Sequence, residues 1–170
     1  METYIISDTH FGDPNIIFYE NRPFNSVKEM NETIIKNWNK TIAKEDIVFF
    51  LGDVAVGYNS YLLKELIKDL SGYKILIMGN HDKKYSPETW KKIGFSEICK
   101  YPIIYNEFYI FSHEPLYLNK NMPYRNVHGH IHNNIMQNAE SRLYYNVSVE
   151  RINYTPVSFE TIQNYFLENE

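Results

Sequence analysis

The chain has 170 residues, 44% hydrophobic and 22% charged, a balance that fits one globular domain with a sizeable core. Its formal net charge of −4 argues against a general nucleic-acid-binding surface, because phosphate contacts need clustered Lys and Arg. Cys99 is the single cysteine, which rules out an intrachain disulfide and a thiolate zinc cluster; with no visible signal peptide and no apolar run near the ~20 residues of a membrane helix, the expected setting is cytoplasmic.

Tyr4-Ile5-Ile6 reads as a first strand. Ser26 and Glu29 have capping-box spacing, and Met30, Ile34, Ile35, Trp38 and Ile42 then fall on one helical stripe. Residues 47–51 form a continuous apolar run, as expected of a strand buried on both faces. A helix is expected over residues 60–70, with Leu62, Leu63, Leu66, Ile67 and Leu70 inward and Gly72 just past its end. Residues 74–78 form a third buried strand, and Ser86-Pro87-Glu88 opens a short helix. Strands alternating with helices imply βαβ units and a mainly parallel sheet.

The second half differs. Residues 103–105 and 108–111 flank Asn106-Glu107, a hairpin turn. Further strands are expected at residues 126–128 and 144–149, and a last helix near Ser158 carrying Phe159, Ile162, Tyr165 and Phe166. The whole suggests an α/β fold of two sheets with helices outside.

Five polar clusters are set against these apolar runs: Asp8-Thr9-His10, Gly52-Asp53, Gly79-Asn80-His81-Asp82, His113, and Gly129-His130-Ile131-His132. Four begin just after a strand, where ligands collect in open α/β sheets. Singly, each has a bland reading as a turn, a cap or a stray histidine. Together they hold five of the six histidines, and the sixth, His128, adjoins one. His128 either supports the site or is structural. Asp, Asn and His bind hard to borderline divalent metals, and this many donors exceeds what one ion needs. That points to two metal ions and hydrolytic chemistry.

The order Asp-x-His, Gly-Asp, Gly-Asn-His-Asp, His, Gly-His-x-His resembles the calcineurin-like metallophosphoesterase superfamily, from Asp8 to His132. Ser7-Asp8-Thr9-His10-Phe11-Gly12, Asn15-Ile16-Ile17 and Arg22-Pro23-Phe24 are similar to a small prokaryotic or phage branch of it. So are Asn146-Val147-Ser148-Val149 and Pro156-Val157-Ser158. The resemblance implies a four-layer α-β-β-α sandwich of two mixed sheets in one domain. It implies that Asp8, His10, Asp53 and His132 hold one metal. Asp53, Asn80, His113 and His130 would hold the second, with Asp53 shared. Manganese is the expected metal, with iron, zinc or nickel as alternatives.

The implied reaction is hydrolysis of a small phosphodiester or phosphomonoester, a nucleotide among the options, by attack of a metal-activated water. His81 would assist the leaving group and Asp82 would orient His81. The branch often has a His where this chain has Asp13, which puts Asp13 near the site mouth and in the substrate-contact set. Arg22 and Arg125 are candidate phosphate contacts, with surface ion pairs as the alternative. Tyr117 and Tyr124 are candidates for stacking a nucleobase. Two rivals stand beside this reading: a nuclease acting on polynucleotides, and a non-catalytic scaffold of the same fold.

Overall fold

A computed structural model describes residues 1–136 and 141–169. Its first half runs β1 (Thr3–Ile6), α1 (Pro14–Tyr19), α2 (Val27–Thr41), β2 (Ile47–Phe50), α3 (Ser60–Lys68), β3 (Tyr73–Ile77), α4 (Pro87–Ile93) and β4 (Glu97–Cys99). The second half adds β5 (Ile103–Tyr105), β6 (Tyr109–Phe111), β7 (Arg125–His128), β8 (Tyr144–Asn146), β9 (Val157–Ser158) and α5 (Phe159–Glu168). Local chemistry sets the helix starts. Ser26, Asn59, Ser86 and Ser158 each accept a backbone N–H of the first turn of α2, α3, α4 and α5. Glu29 reaches back one residue further than a capping box, to the N–H of Asn25.

The first sheet has the order β4-β3-β2-β1-β9, parallel except for β9. The second is β5-β6-β7-β8, antiparallel only at the β5–β6 hairpin. Tyr105 pairs with Tyr109, so the hairpin closes over three residues, and Asn106 and Glu107 turn it with left-handed φ of 45° and 67°.

The residue alternation of β2 explains its unbroken apolar sequence. Val48 and Phe50 face the helices, where they meet Met30, Ile34 and Trp38 of α2, Leu63 and Ile67 of α3, and Trp90 of α4. Phe49 and Leu51 face the other way, with Ile5, Ile75 and Ile77, toward Phe111, Val127 and Val147 of the second half. The Phe49 and Phe111 rings lie 5.0 Å apart across the two sheets. Each such buried side chain stabilises the fold by roughly 1.5–3 kcal/mol. The fold is therefore two mixed sheets flanked by helices, as the sequence predicts. α5 docks at the seam of the sandwich: the Phe159 ring is 5.1 Å from that of Tyr105 and 4.8 Å from that of Tyr109.

Three local expectations change. α3 ends at Lys68, and of the five residues expected inward only Leu62 is exposed, because Leu63, Leu66, Ile67 and Leu70 share the stripe that reaches the core. The short edge strands β4 and β9 and the six-residue helix α1 have no sequence periodicity and were not anticipated. The strand expected over 144–149 stops at Asn146, and the chain then crosses to β1. Ser7 N–H donates to Val147 O at 3.0 Å, and Val149 N–H donates to Ser7 O at 3.1 Å. This crossing ties the two sheets together at the end where the polar clusters emerge. Among the described residues no helix is long and apolar enough to cross a membrane.

Candidate metal centre

The loops after β1, β2, β3, β6 and β7 deliver Asp8 and His10, Asp53, Asn80, His113, and His130 and His132 to one place. Five of these seven residues sit in the left-handed region: Asp8 (φ 59°), His10 (49°), Asp53 (55°), His130 (70°) and His132 (49°). Such backbone costs of order 1 kcal/mol or more per residue and persists only where surrounding bonds fix it. Here Asp8 N–H donates to Gly52 O at 3.0 Å, His10 N–H to Asp53 O at 3.1 Å, and His130 N–H to Asp8 Oδ2 at 2.8 Å. The neighbouring glycines permit this crowding. A Cβ on Gly52 would lie 2.6 Å from Gly79 Cα and from His113 Nδ1, and one on Gly129 would strike Ser7 and Asp8.

These seven residues form two groups of donors, and Glu20 and Glu150 form a third with His132. In the first, ligand atoms of Asp8, His10 and His132 lie within 4.8 Å of one another; in the second, those of Asp53, His113 and His130 do. Asp53 faces both, its Oδ2 being 3.6 Å from His10 Nε2 and 3.5 Å from His113 Nε2. Asn80 Oδ1 is 2.9 Å from His113 Nε2, which is 3.1 Å from His130 Nδ1. His113 Nδ1 lies 2.8 Å from Leu51 O; a carbonyl only accepts, so the proton is on Nδ1 and Nε2 points into the group.

The donor set fits cations. Asp8 Oδ1 and both ring nitrogens of His10 are buried with no hydrogen-bond partner, a costly state unless something positive is bound. Burial raises the Asp53 carboxyl, but the imidazoles of His10 and His113 outweigh this and hold it far below the usual carboxylate range. Burial acts to lower His113, yet its bond to Asp53 and the charge of Asp8 push it up to about 9.

His81 lies at the rim. Its N–H donates to Asp53 Oδ1 at 2.9 Å, and its half-exposed ring has Nε2 3.9 Å from Asp53 Oδ2. The expectation for Asp82 changes. Its side chain points away from His81 into the core, where Oδ2 accepts the N–H of Asp53 and of Gly79, each at 2.8 Å, and Oδ1 that of Val54 at 3.0 Å. The one-turn 3-10 helix His81–Lys84 sends adjacent side chains in different directions.

The three outlying candidates are also placed elsewhere than expected. Asp13 is buried; it caps α1 through Asn15 N–H and turns Oδ2 toward His10 Nδ1, 3.6 Å away. It stands behind the His10 ring rather than at the mouth. Arg22 is buried and makes an ion pair with Glu150 at 2.6 Å, while also donating to Asp8 O and Thr9 O. Arg125 starts β7, at the opposite end of that strand from His130. It donates to Pro123 O and Tyr124 O and covers the Phe166 ring. Of the remaining candidates, Tyr117 is almost fully exposed and Tyr124 half-buried. His128 is buried, with Nδ1 2.9 Å from Gly129 O, and burial lowers its basicity.

Two residues at the centre were not anticipated. Ser148 Oγ donates to Asp8 Oδ2 at 2.9 Å. Glu150 Oε1 lies 3.1 Å from His132 Nδ1. The signal for Glu150 was an acidic residue immediately after the buried run Val147–Val149.

Comparison with known proteins agrees with this geometry. The calcineurin-like phosphoesterase model matches residues 1–167. The chain is 42% identical over 164 residues to the uncharacterized protein MJ1445 of Methanocaldococcus jannaschii, covering 94% of this chain and 88% of that one. It is 35% identical over 82 residues to the gene 66 protein of Mycobacterium phage L5, covering 47% of this chain and 39% of that one. The crystal structure of AQ665, a protein of unknown function from Aquifex aeolicus, superposes with a TM-score of 0.75 at 28% identity, covering 96% of this chain and 98% of that one. A family model spanning nearly the whole chain, over a cluster of buried His and Asp side chains, makes this protein a member of the calcineurin-like phosphoesterase family, and with it implies metal-dependent phosphoester hydrolysis.

Proposed function

We propose that the protein is a binuclear metal-dependent phosphoesterase that hydrolyses a small phosphodiester or phosphomonoester. One observation carries the binuclear reading: Asp53 Oδ2 lies 3.6 Å from His10 and 3.5 Å from His113, the position of a carboxylate shared between two ions. Asp8, His10, Asp53 and His132 would hold one ion, and Asp53, Asn80, His113 and His130 the other. Manganese is the favoured occupant, because the set mixes carboxylate and amide oxygen with imidazole. When bound, such a pair supplies Lewis acidity for the phosphoryl oxygens and acidifies water.

The chain's own side chains do the rest. Asp8 and Asp53 are the two carboxylates of the set, so a doubly loaded site stays cationic and attracts an anionic ester. His81, half-exposed at the rim beside Asp53, would meet the leaving group and give it a proton from its ring. Asp82 holds the Gly52–Val54 and Gly79 loops in register, which keeps both His81 and Asp53 aimed.

The test is turnover of aryl phosphodiesters and monoesters by manganese-loaded protein against the metal-free form. Metal-dependent turnover supports the reading. None above buffer on either ester would contradict it. A strong preference for single-stranded DNA, lost steeply with salt, would replace the small substrate by a polynucleotide.

A further inference from the structure

We infer that Glu150, clamped by Arg22, is the positioning residue for His132, and that this pair pre-assembles the Asp8–His10–His132 metal group. The role rests on the metal-centre reading proposed above and goes beyond its ligand set.

Glu150 and Arg22 are both buried, and their side chains are 2% and 0% exposed. The contacts converge on one carboxylate oxygen, Oε1, while Oε2 is buried with no hydrogen-bond partner. Arg22 uses its whole fork. Nε donates to Glu150 Oε1 at 2.8 Å, Nη2 approaches the same oxygen at 2.6 Å and donates to Asp8 O at 2.7 Å, and Nη1 donates to Thr9 O at 2.8 Å. One guanidinium thus ties the Asp8–His10 loop to Glu150, which lies 128 residues beyond Arg22 in sequence. Oε1 is thus held by two nitrogens of one guanidinium, which fixes it as an acceptor.

Glu150 then determines the state of His132. An oxygen that already faces two guanidinium donors meets His132 as an acceptor, so His132 Nδ1, at 3.1 Å from Oε1, carries hydrogen. That leaves Nε2 as the atom available to a metal alongside Asp8 and His10. The left-handed backbone of His132 (φ 49°) alone would not fix its ring; the carboxylate does. Asp13 stands behind the first metal group's other imidazole in a looser version of the same arrangement, 3.6 Å from His10 Nδ1. The second group's His113 is fixed instead by the Leu51 carbonyl, so Glu150 bears on the imidazole of the first group and not on this one.

The experiment is a calorimetric titration of metal-free wild type and Glu150→Gln with Mn²⁺. Glutamine keeps the shape and removes the charge. Wild type should bind two equivalents. In the variant one equivalent should weaken by ~10–100-fold, the usual cost of losing a partner behind a metal-bound histidine, while the other stays within about twofold. Equal weakening of both, or of neither, would overturn the role. So would a third equivalent that disappears in the variant, since Glu150 would then be a ligand. A wild type binding fewer than two equivalents would overturn the metal-centre reading and this role with it. A second measurement needs no variant. In zinc-loaded wild type, ¹⁵N NMR should show His132 protonated at Nδ1 and metal-shifted at Nε2. A metal-shifted Nδ1 would contradict the role even if Glu150→Gln failed to fold.

Discussion

The Asp82 carboxylate accepts the backbone N–H of Asp53 at 2.8 Å, and through this bond the loop after β3 holds the loop after β2. The same oxygen accepts Gly79 N–H, and the other accepts Val54 N–H. Asp82 is fully buried, so Asp82→Ala leaves three backbone donors unsatisfied, each costing roughly 1–3 kcal/mol and not strictly additive. The expected loss is at least ~3 kcal/mol, measured by denaturant unfolding of the metal-free protein. Metal content should fall with it, because Asp53 loses its support.

His81 gives the opposite pattern. Its ring is half-exposed and meets the His10 ring edge-on at 5.2 Å at the rim, outside the apolar core, so His81→Ala should unfold close to the denaturant concentration of wild type. Turnover of an aryl phosphodiester should drop by ~10²–10⁴-fold with metal content near normal. Loss of one metal equivalent in this variant would make His81 a ligand instead.

Metal affinity should depend on pH with a definite sign. The imidazole of His113 is lowered by burial but raised more strongly by Asp53 and Asp8, to about 9 in the metal-free protein. Below that pH a binding cation must displace its proton, so affinity rises with pH up to about 9 and then levels. The metal-free fold shows the reverse trend. A raised imidazole contributes stability that is present below 6.5 and is lost as pH climbs through about 9. Calorimetry in buffers of different ionisation enthalpy measures the released proton directly. Affinity that does not change across this window would contradict the assignment.

Gly129→Ala should abolish metal binding while leaving the helical core intact. The added methyl would strike Ser7 and Asp8, which are buried and cannot move away without breaking the Ser7–Val147 bond between the sheets. The expected readout is near-native helical circular dichroism with loss of the Mn²⁺ heat signal. Retained binding would show that the Asp8 loop is more pliable than its left-handed backbone implies.

Much of this was readable from residue types. Asp8, Asp53, Asn80 and His113 each follow an apolar strand, and that local juxtaposition survives in the fold because strand ends are set by nearby sequence. What escaped was long-range. Asp82 stands next to His81 in sequence, but its partners are the N–H groups of Asp53 and Val54, about thirty residues back. Arg22 read as either a phosphate contact or a surface ion pair, and the ion pair is buried because its partner Glu150 lies beyond every cluster. Leu62 read as inward because a run of leucines does not reveal which stripe of the helix meets the sheet. β4 and β9, at three and two residues, are strands only because a neighbour pairs with them.

The most direct measurement is anomalous diffraction from crystals grown with manganese. Two peaks about 3.5–4 Å apart, one toward His10 and one toward His113 with Asp53 between them, are the expected result. A single peak, or two that do not share Asp53, would contradict the binuclear centre.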